Sequence, residues 1–290
     1  MTPEQVARAR LNALDAFQQE RERLIAEMGQ ELYEALLERI AELLDNPDAL
    51  RAILLDFARN VHLPFVLRYA EQLLELPALQ QTYFEALGVA ANYAALRAPM
   101  TSTLRQWFGI DAQGGLVERG FLASLVADTA AERELTTFAY QAHFSGMGIT
   151  DYRAGLKLLI TGQPATATTP AVQSVYQRLY ARSADTFSQA DRLLQAQAAE
   201  RLGFSAYLYQ GGLIASSRPF CKTRNGKVWL AAEIDGWADL KFDGKPDPYD
   251  PWTQLGGYNC RHSLNAVPNR IAITLRPELK EDGQGRLYVE

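Results

Sequence analysis

Both cysteines and one of the three histidines fall in the last quarter of the chain. Cys221 closes the run Ser217-Arg218-Pro219-Phe220-Cys221, and Cys260 and His262 close Gly256-Gly257-Tyr258-Asn259-Cys260-Arg261-His262. Any thiol, redox or cysteine-based metal chemistry must pass through these segments. In an extended segment the i, i+2 spacing of Cys260 and His262 puts both side chains on one face. A fold that brings Cys221 alongside would present two sulfurs and an imidazole. Three such ligands and a carboxylate or water satisfy tetrahedral zinc. The same proximity would serve a Cys221–Cys260 disulfide, or two thiols packed as small apolar groups. The residues alone leave all three open, and no fourth metal ligand stands out.

Other chemistry is thinly represented. There is no phosphate loop, no G-x-S-x-G elbow, no H-E-x-x-H and no paired C-x-x-C. Gly146-Met147-Gly148 is too short for a dinucleotide loop and follows a helical pattern. His62 and His143 sit among apolar residues without a second ligand at helical spacing, so each is expected to be structural or superficial. Glu233 and Asp235 could share a cleft as acid and base. The expected reading is a helix start with charged first-turn residues, directly after a strand at Val228–Leu230.

The elements that would position these residues follow from composition and pattern. Hydrophobic residues make up 48% of the 290, the normal share for a folded chain, and the formal charge is -5 with pI near 5.4. That balance argues against a surface built throughout to neutralise phosphate. The charge is uneven: residues 1–60 carry 7 basic and 12 acidic side chains, and 201–290 carry 12 and 10. The two ends are therefore expected to face different partners. No run of 18 apolar residues occurs and charges open the N-terminus, so a soluble chain without a secretory signal is expected, its cysteines in a reducing compartment.

From Pro3 to about Gly203 the apolar spacing is helical, with Leu32, Leu36, Ile40 and Leu43 on one stripe. Asp45-Asn46-Pro47 supplies a stop, and prolines 64, 77 and 99 are expected to cut the next stretch into short helices. Thr150 is a candidate cap for a helix over Tyr152 to Ile160. Residues 162–170 read as a linker, followed by a long helix over about 170–202 with a seam at Val172, Tyr176, Leu179, Ser183, Phe187, Ala190 and Leu194. Beyond Gly203, Tyr207–Tyr209, Lys227–Leu230, Ile271–Leu275 and Arg286–Val289 read as strands, with Asn225-Gly226 as the strongest hairpin turn. The expectation is an α+β protein: a helical bundle over 1–162, linker and connecting helix over 163–202, and a β-rich domain over 203–290.

Over 203–268 the order and intervals of Tyr207-x-Tyr209-x-Gly211, Ser217 to Cys221, Gly226-Lys227-Val228 leading to Glu233-Ile234, and Gly256 to His262 with Val267-Pro268 behind resemble the Mu F-like head morphogenesis family of tailed-phage minor head proteins. The likeness is looser over 145–202. It implies a structural, non-enzymatic virion protein, associated with the portal and other head proteins inside the capsid, assembled in the host cytoplasm without a membrane. An oligomer, binding of genomic DNA and exit with it are further implications. Many relatives carry His where Cys221 stands and Cys-x-Cys where Cys260-Arg261-His262 stands. Zinc accepts either ligand and a disulfide does not, so the resemblance favours one structural zinc on Cys221, Cys260 and His262. Arg218, Pro219, Phe220, Gly257, Asn259 and Arg261 form the structural motif, with Arg218 and Arg261 bracing loops through carbonyls or carboxylates such as Asp235 and Asp239. Lys222, Arg224 and Lys227 are the expected contact surface for DNA or portal. The rival readings are a DNA-binding ejected protein and an ADP-ribosyltransferase-like enzyme using Arg218 and Glu233, although Ala232-Glu233-Ile234-Asp235 lacks a Gln/Glu-x-Glu element.

Overall fold

The computed structural model describes residues 1–289. Helices dominate as far as Leu202: α1 (Pro3–Glu38), α2 (Ile40–Asp45), α3 (Leu50–Phe57), α4 (Leu63–Leu73), α5 (Leu76–Ala86), α6 (Tyr93–Phe108), α7 (Phe121–Ala127), α8 (Ala130–Ser145), α9 (Ile149–Thr161) and α10 (Val175–Leu202). The remainder is β1 (Ala206–Gln210), α11 (Pro219–Arg224), β2 (Lys227–Leu230), α12 (Ala231–Asp235), β3 (Ser263–Val267), α13 (Asn269–Leu275), β4 (Leu279–Glu281) and β5 (Leu287–Val289). The protein is α+β, as expected: a long helical region followed by a small antiparallel sheet of order β2-β1-β3, with β4 and β5 forming a separate hairpin. Among the described residues no helix is long and apolar enough to cross a membrane.

The helix boundaries show where local signals hold. Asn46 and Pro47 end α2 and open a 3-10 turn, and Pro77 lies in the first turn of α5. Ser174 starts α10 through a reciprocal cap: its hydroxyl accepts from the Gln177 N–H at 3.0 Å and Gln177 Oε1 accepts from the Ser174 N–H at 2.8 Å. That cap places the helix start later than the expected 170. The seam is also shifted, because Tyr180 is buried where Leu179 was expected and Val172 is exposed. The cap of α9 is Gly148, so Thr150 lies inside the helix.

Two prolines do not interrupt their helices. Pro64 follows a π-helical turn over Ala58–His62, and a widened turn accommodates a ring that lacks its hydrogen-bond donor. Pro99 sits inside α6, where an interior proline costs about 3 kcal/mol. Leu96, Met100, Leu104 and Phe108 of the same helix are almost completely buried, and each such side chain contributes about 1.5–3 kcal/mol, enough to hold α6 through the defect.

Two compact units emerge from the packing, and neither is one contiguous stretch. One holds Met1–Ala16, Leu73–Leu104 and the chain from Ser183 onward; the other holds Phe17–Gln72 and Arg105–Arg182, so α1 and α10 contribute to both. In the second unit α1 and α9 approach closely: a Cβ on Gly29 would lie 2.9 Å from the Ile160 carbonyl oxygen. Gly155 similarly leaves room for the Phe138 ring, which stacks on Tyr152 at 5.5 Å. His62 packs in the same unit against Phe57, Tyr176 and Tyr180.

In the first unit β1 is the central strand and is buried along its whole length. Its registers run from Ala206↔Leu230 to Tyr209↔Lys227 on one side and from Ala206↔Val267 to Gln210↔Ser263 on the other. Beneath the sheet lies a buried polar network. Arg10 of α1 donates to Asn265 Oδ1 of β3 at 2.8 Å and to Gln80 Oε1 of α5 at 3.2 Å, and pairs with Asp191 of α10. Gln80 donates to Asp191 and Ser263 Oγ donates to the other carboxylate oxygen. Four elements distant in sequence are thereby held in one register.

Two readings of the C-terminal region are corrected. Ile271–Leu275 is helix, not strand: Pro268 caps it, the Ile271 and Ala272 N–H groups donate to the Pro268 carbonyl, and Ala272 alone is fully buried. Its β-branched residues favoured a strand, but β-propensity yields to tertiary context. Asn225-Gly226 joins α11 to β2 and is not a hairpin turn; Gly226 takes φ +77° and its N–H donates to the Tyr209 carbonyl, extending the β1 ladder.

Candidate metal centre

The first cysteine is placed by the start of α11. Arg218 occupies the extended cap position and Pro219 the first turn, where its missing donor costs nothing, leaving Phe220 and Cys221 on the buried side. The Arg218 guanidinium donates to the carbonyls of Gly256 and Tyr258, both at 3.0 Å, which ties α11 to the second segment. Arg218 is therefore a brace, acting through carbonyls and not through Asp235 or Asp239.

The second segment turns sharply before it enters β3. Gly257 has φ +84°, and a Cβ there would lie 1.9 Å from the Gly244 carbonyl oxygen, so only glycine fits. Asn259 also has positive φ, and its N–H donates to Asp185. A Cβ on Gly256 would fall 2.4 Å from Cys221 Sγ, so the absence of a side chain there lets the loop close over the sulfurs. Cys260, Arg261 and His262 then lead, without regular secondary structure, into β3. Arg192 of α10, itself buried, donates to the carbonyls of Thr253, Cys260 and His262 and clamps this run from behind.

The result is a buried cluster. The two sulfurs are 3.9 Å apart, Cys260 Sγ is 3.7 Å from His262 Nδ1, and the three donor atoms all lie within 4.8 Å of one another. Tyr209 of β1 stacks on the His262 ring at 5.1 Å and donates its hydroxyl to Cys221 Sγ at 3.4 Å. Gly211 leaves space for the imidazole, since a Cβ there would lie 2.6 Å from its Cδ2. Phe220 and Trp237 pack on the Tyr209 ring.

These dimensions bear on the three chemistries. A disulfide needs an S–S distance of about 2.05 Å, and both cysteines are free thiols here. Tetrahedral zinc with Zn–S of about 2.3 Å sets its sulfurs about 3.8 Å apart. The observed separation corresponds to that edge. His262 faces Cys260 through Nδ1, while its Nε2 is buried without a hydrogen-bond partner. Cys221, Cys260 and His262 are thus placed where they could bind a metal ion. The thiols are also unlike each other. Cys221 is pushed well above its ordinary range, first because its S–H donates to Cys260 and then by burial. Cys260 is held well below its range, first by that donated hydrogen and, against burial, by His262 and the Arg192 charge.

The other expected site residues are dispersed around this cluster. Lys222 and Lys227 are exposed, and Lys222 Nζ donates to the Ala215 carbonyl at 3.3 Å. Arg224 is half-buried: its guanidinium lies 3.8 Å over the Phe220 ring and 4.8 Å over Trp237, and donates to the Phe220 carbonyl. Arginine's weakly hydrated plane favours such stacking. Arg261 is exposed, and the bracing expected of it falls to Arg192. Glu233 is a helix-start residue, as expected, accepting from the Leu230 N–H at 2.7 Å and from Arg276 at 2.7 and 2.9 Å, while Asp235 accepts from Trp252. His62 is buried against the Tyr180 hydroxyl and exposed His143 contacts the Leu44 carbonyl, so both are structural or superficial, as expected. Arg192 and Tyr209 are the residues that sequence reasoning left without a role. Tyr209 carried a signal, as a motif residue two positions before Gly211; Arg192 carried none.

No known protein family, curated protein or solved structure matches the chain.

Proposed function

We propose that the chain is a structural head-morphogenesis protein of a tailed phage, of the Mu F-like kind. It is a minor component of the capsid interior beside the portal, made in the host cytoplasm, and it acts in assembly, packaging or ejection through protein contacts. One observation carries this reading: the segments on which the resemblance rests meet in one place, where Tyr209, Phe220, Cys221, Cys260 and His262 are buried together and Arg218 ties α11 to the Gly256–Tyr258 turn. Arg218 and Glu233, which an ADP-ribosyltransferase-like reaction would call on, are engaged by two carbonyls and by Arg276 respectively. That supports a motif conserving architecture over turnover.

Within this reading Cys221, Cys260 and His262 hold one structural zinc. Bound there, zinc would link α11 to the segment entering β3, adding its binding free energy to folding. The acidic N-terminal helices dock on other head proteins or on copies of the chain. A second reading, binding of genomic DNA, is favoured by the exposure of Lys222 and Lys227 beside the motif.

Co-expression with a portal protein, followed by affinity capture and cross-linking of assembled heads, tests the proposal. Co-purification with cross-links that map to a defined surface is the expected result. Heads that contain the chain but give no portal cross-links would refute the portal association. Duplex-DNA affinity that falls steeply with salt and weakens in Lys222→Glu and Lys227→Glu supports the second reading; salt-independent or absent binding removes it.

A further inference from the structure

The metal reading leaves a fourth coordination position to be assigned. No aspartate or glutamate joins the three ligands among the described residues. All three are nearly inaccessible, at 3%, 5% and 4% exposed for Cys221, Cys260 and His262. A water-filled position open to exchange would need a path that this burial does not provide.

We infer that the Tyr209 hydroxyl is the fourth donor, closing the centre as a two-sulfur, one-nitrogen, one-oxygen site. Its oxygen lies 3.4 Å from Cys221 Sγ and 3.9 Å from Cys260 Sγ. Zinc with sulfur at about 2.3 Å and oxygen at about 2.0–2.2 Å gives a sulfur–oxygen edge of about 3.5 Å. With the sulfur–sulfur separation of 3.9 Å and the sulfur–nitrogen separation of 3.7 Å, four of the six edges of a zinc tetrahedron are already near their bound lengths. The Cys221–His262 edge is the longest, within 4.8 Å, and has to shorten by about 1 Å for the donors to meet at one centre.

The fold also prepares this residue in particular. Tyr209 stands on the central strand, paired with Lys227 on one side and Leu264 on the other, and is completely buried. Its ring is wedged between His262, Phe220 and Trp237, so the hydroxyl has one direction to point. Donors on a hydrogen-bonded strand are held more rigidly than donors on a loop. On binding, the phenol and the cysteine thiols give up their protons to solvent and the metal takes their place, so no oxidant or reductant enters.

This inference rests on the metal reading, and the experiment separates the two. Zinc ion is titrated into the reduced full-length chain while ultraviolet difference absorption is followed, and cobalt(II) is used in parallel as a coloured substitute. Expected are one ion per chain, a tyrosinate difference band with zinc, and a tetrahedral cobalt spectrum. Tyr209→Phe, which keeps the ring and its packing, is expected to lose the tyrosinate band, bind zinc at least about 10- to 100-fold more weakly in chelator competition, and shift cobalt towards a water-bound spectrum. If wild-type chain binds one zinc without a tyrosinate band, or Tyr209→Phe binds within twofold with the same cobalt spectrum, the fourth donor is not Tyr209. If wild-type chain binds neither ion, the metal reading itself fails, and this inference with it.

Discussion

Arg10 and Asp191 lie 181 positions apart in the chain and form an ion pair whose side chains are each 1% exposed. Neither charge has water to fall back on. Two further guanidinium N–H groups donate to Gln80 and Asn265, and the carboxylate also accepts from Gln80 and Ser263. The pair therefore sets the register of α1, α5, α10 and β3 within one compact unit.

Breaking one side of such a pair leaves an uncompensated buried charge. Arg10→Met is expected to destabilise the protein by about 3–5 kcal/mol, read as a lower urea midpoint. The double variant Arg10→Met with Asp191→Leu is expected to recover a large part of that loss, because the stranded carboxylate is gone. A single variant within about 0.5 kcal/mol of wild type would show that the network does not hold the unit together.

The turn at Gly257 gives a second expectation. Gly257→Ala places a methyl group 1.9 Å from the Gly244 carbonyl oxygen at a backbone angle that L residues rarely adopt. Strain of this kind costs about 1–3 kcal/mol, and the overlap adds to it. Thermal unfolding should register the loss, and the cysteines, whose loop is displaced, should react faster with a thiol reagent. Unchanged melting and thiol reactivity would contradict the close approach.

His62 makes stability depend on pH. Burial lowers its pKa from 6.5 to about 4, so the folded protein holds it neutral while the unfolded chain would protonate it. The stabilisation is complete above pH 6.5 and is lost as pH falls towards 4, since the unfolded state binds the extra proton in that window. His62→Gln should flatten this part of the stability–pH curve. Parallel curves for variant and wild type between pH 6.5 and 4 would exclude His62 as the source.

Metal removal is the most direct check on the cysteine cluster. Protein purified without chelator should carry about one zinc per chain by elemental analysis, and both Cys260→Ala and His262→Ala should carry much less. Chelation should lower the melting temperature of wild type and leave the variants unmoved. Metal-free wild-type protein whose melting is unchanged by added zinc would leave the cluster as packed thiols.

The fold class and the three cysteine and histidine members of the cluster were legible in local patterns of the chain. Helical spacing to Leu202, the stop at Asn46-Pro47 and the aromatic strand at Tyr207–Tyr209 are local signals, and each is written within a few neighbouring residues. The convergence of Cys221, Cys260 and His262 was legible because cysteines are so few that their segments stand out. Features that depend on distant partners emerge from packing alone. Ile271–Leu275 became a helix through its Pro268 cap and its packing, α6 ran through Pro99 because its apolar face is buried, and Arg224 turned inward onto two aromatic rings. Arg192 and Tyr209 joined the cysteine cluster for the same reason: a helix and a strand carried them there. Local propensities amount to at most about 1 kcal/mol per residue outside proline, whereas burying one large side chain or satisfying one buried charge exceeds that. Where the two disagree, packing decides, and packing is settled by residues far away in the chain.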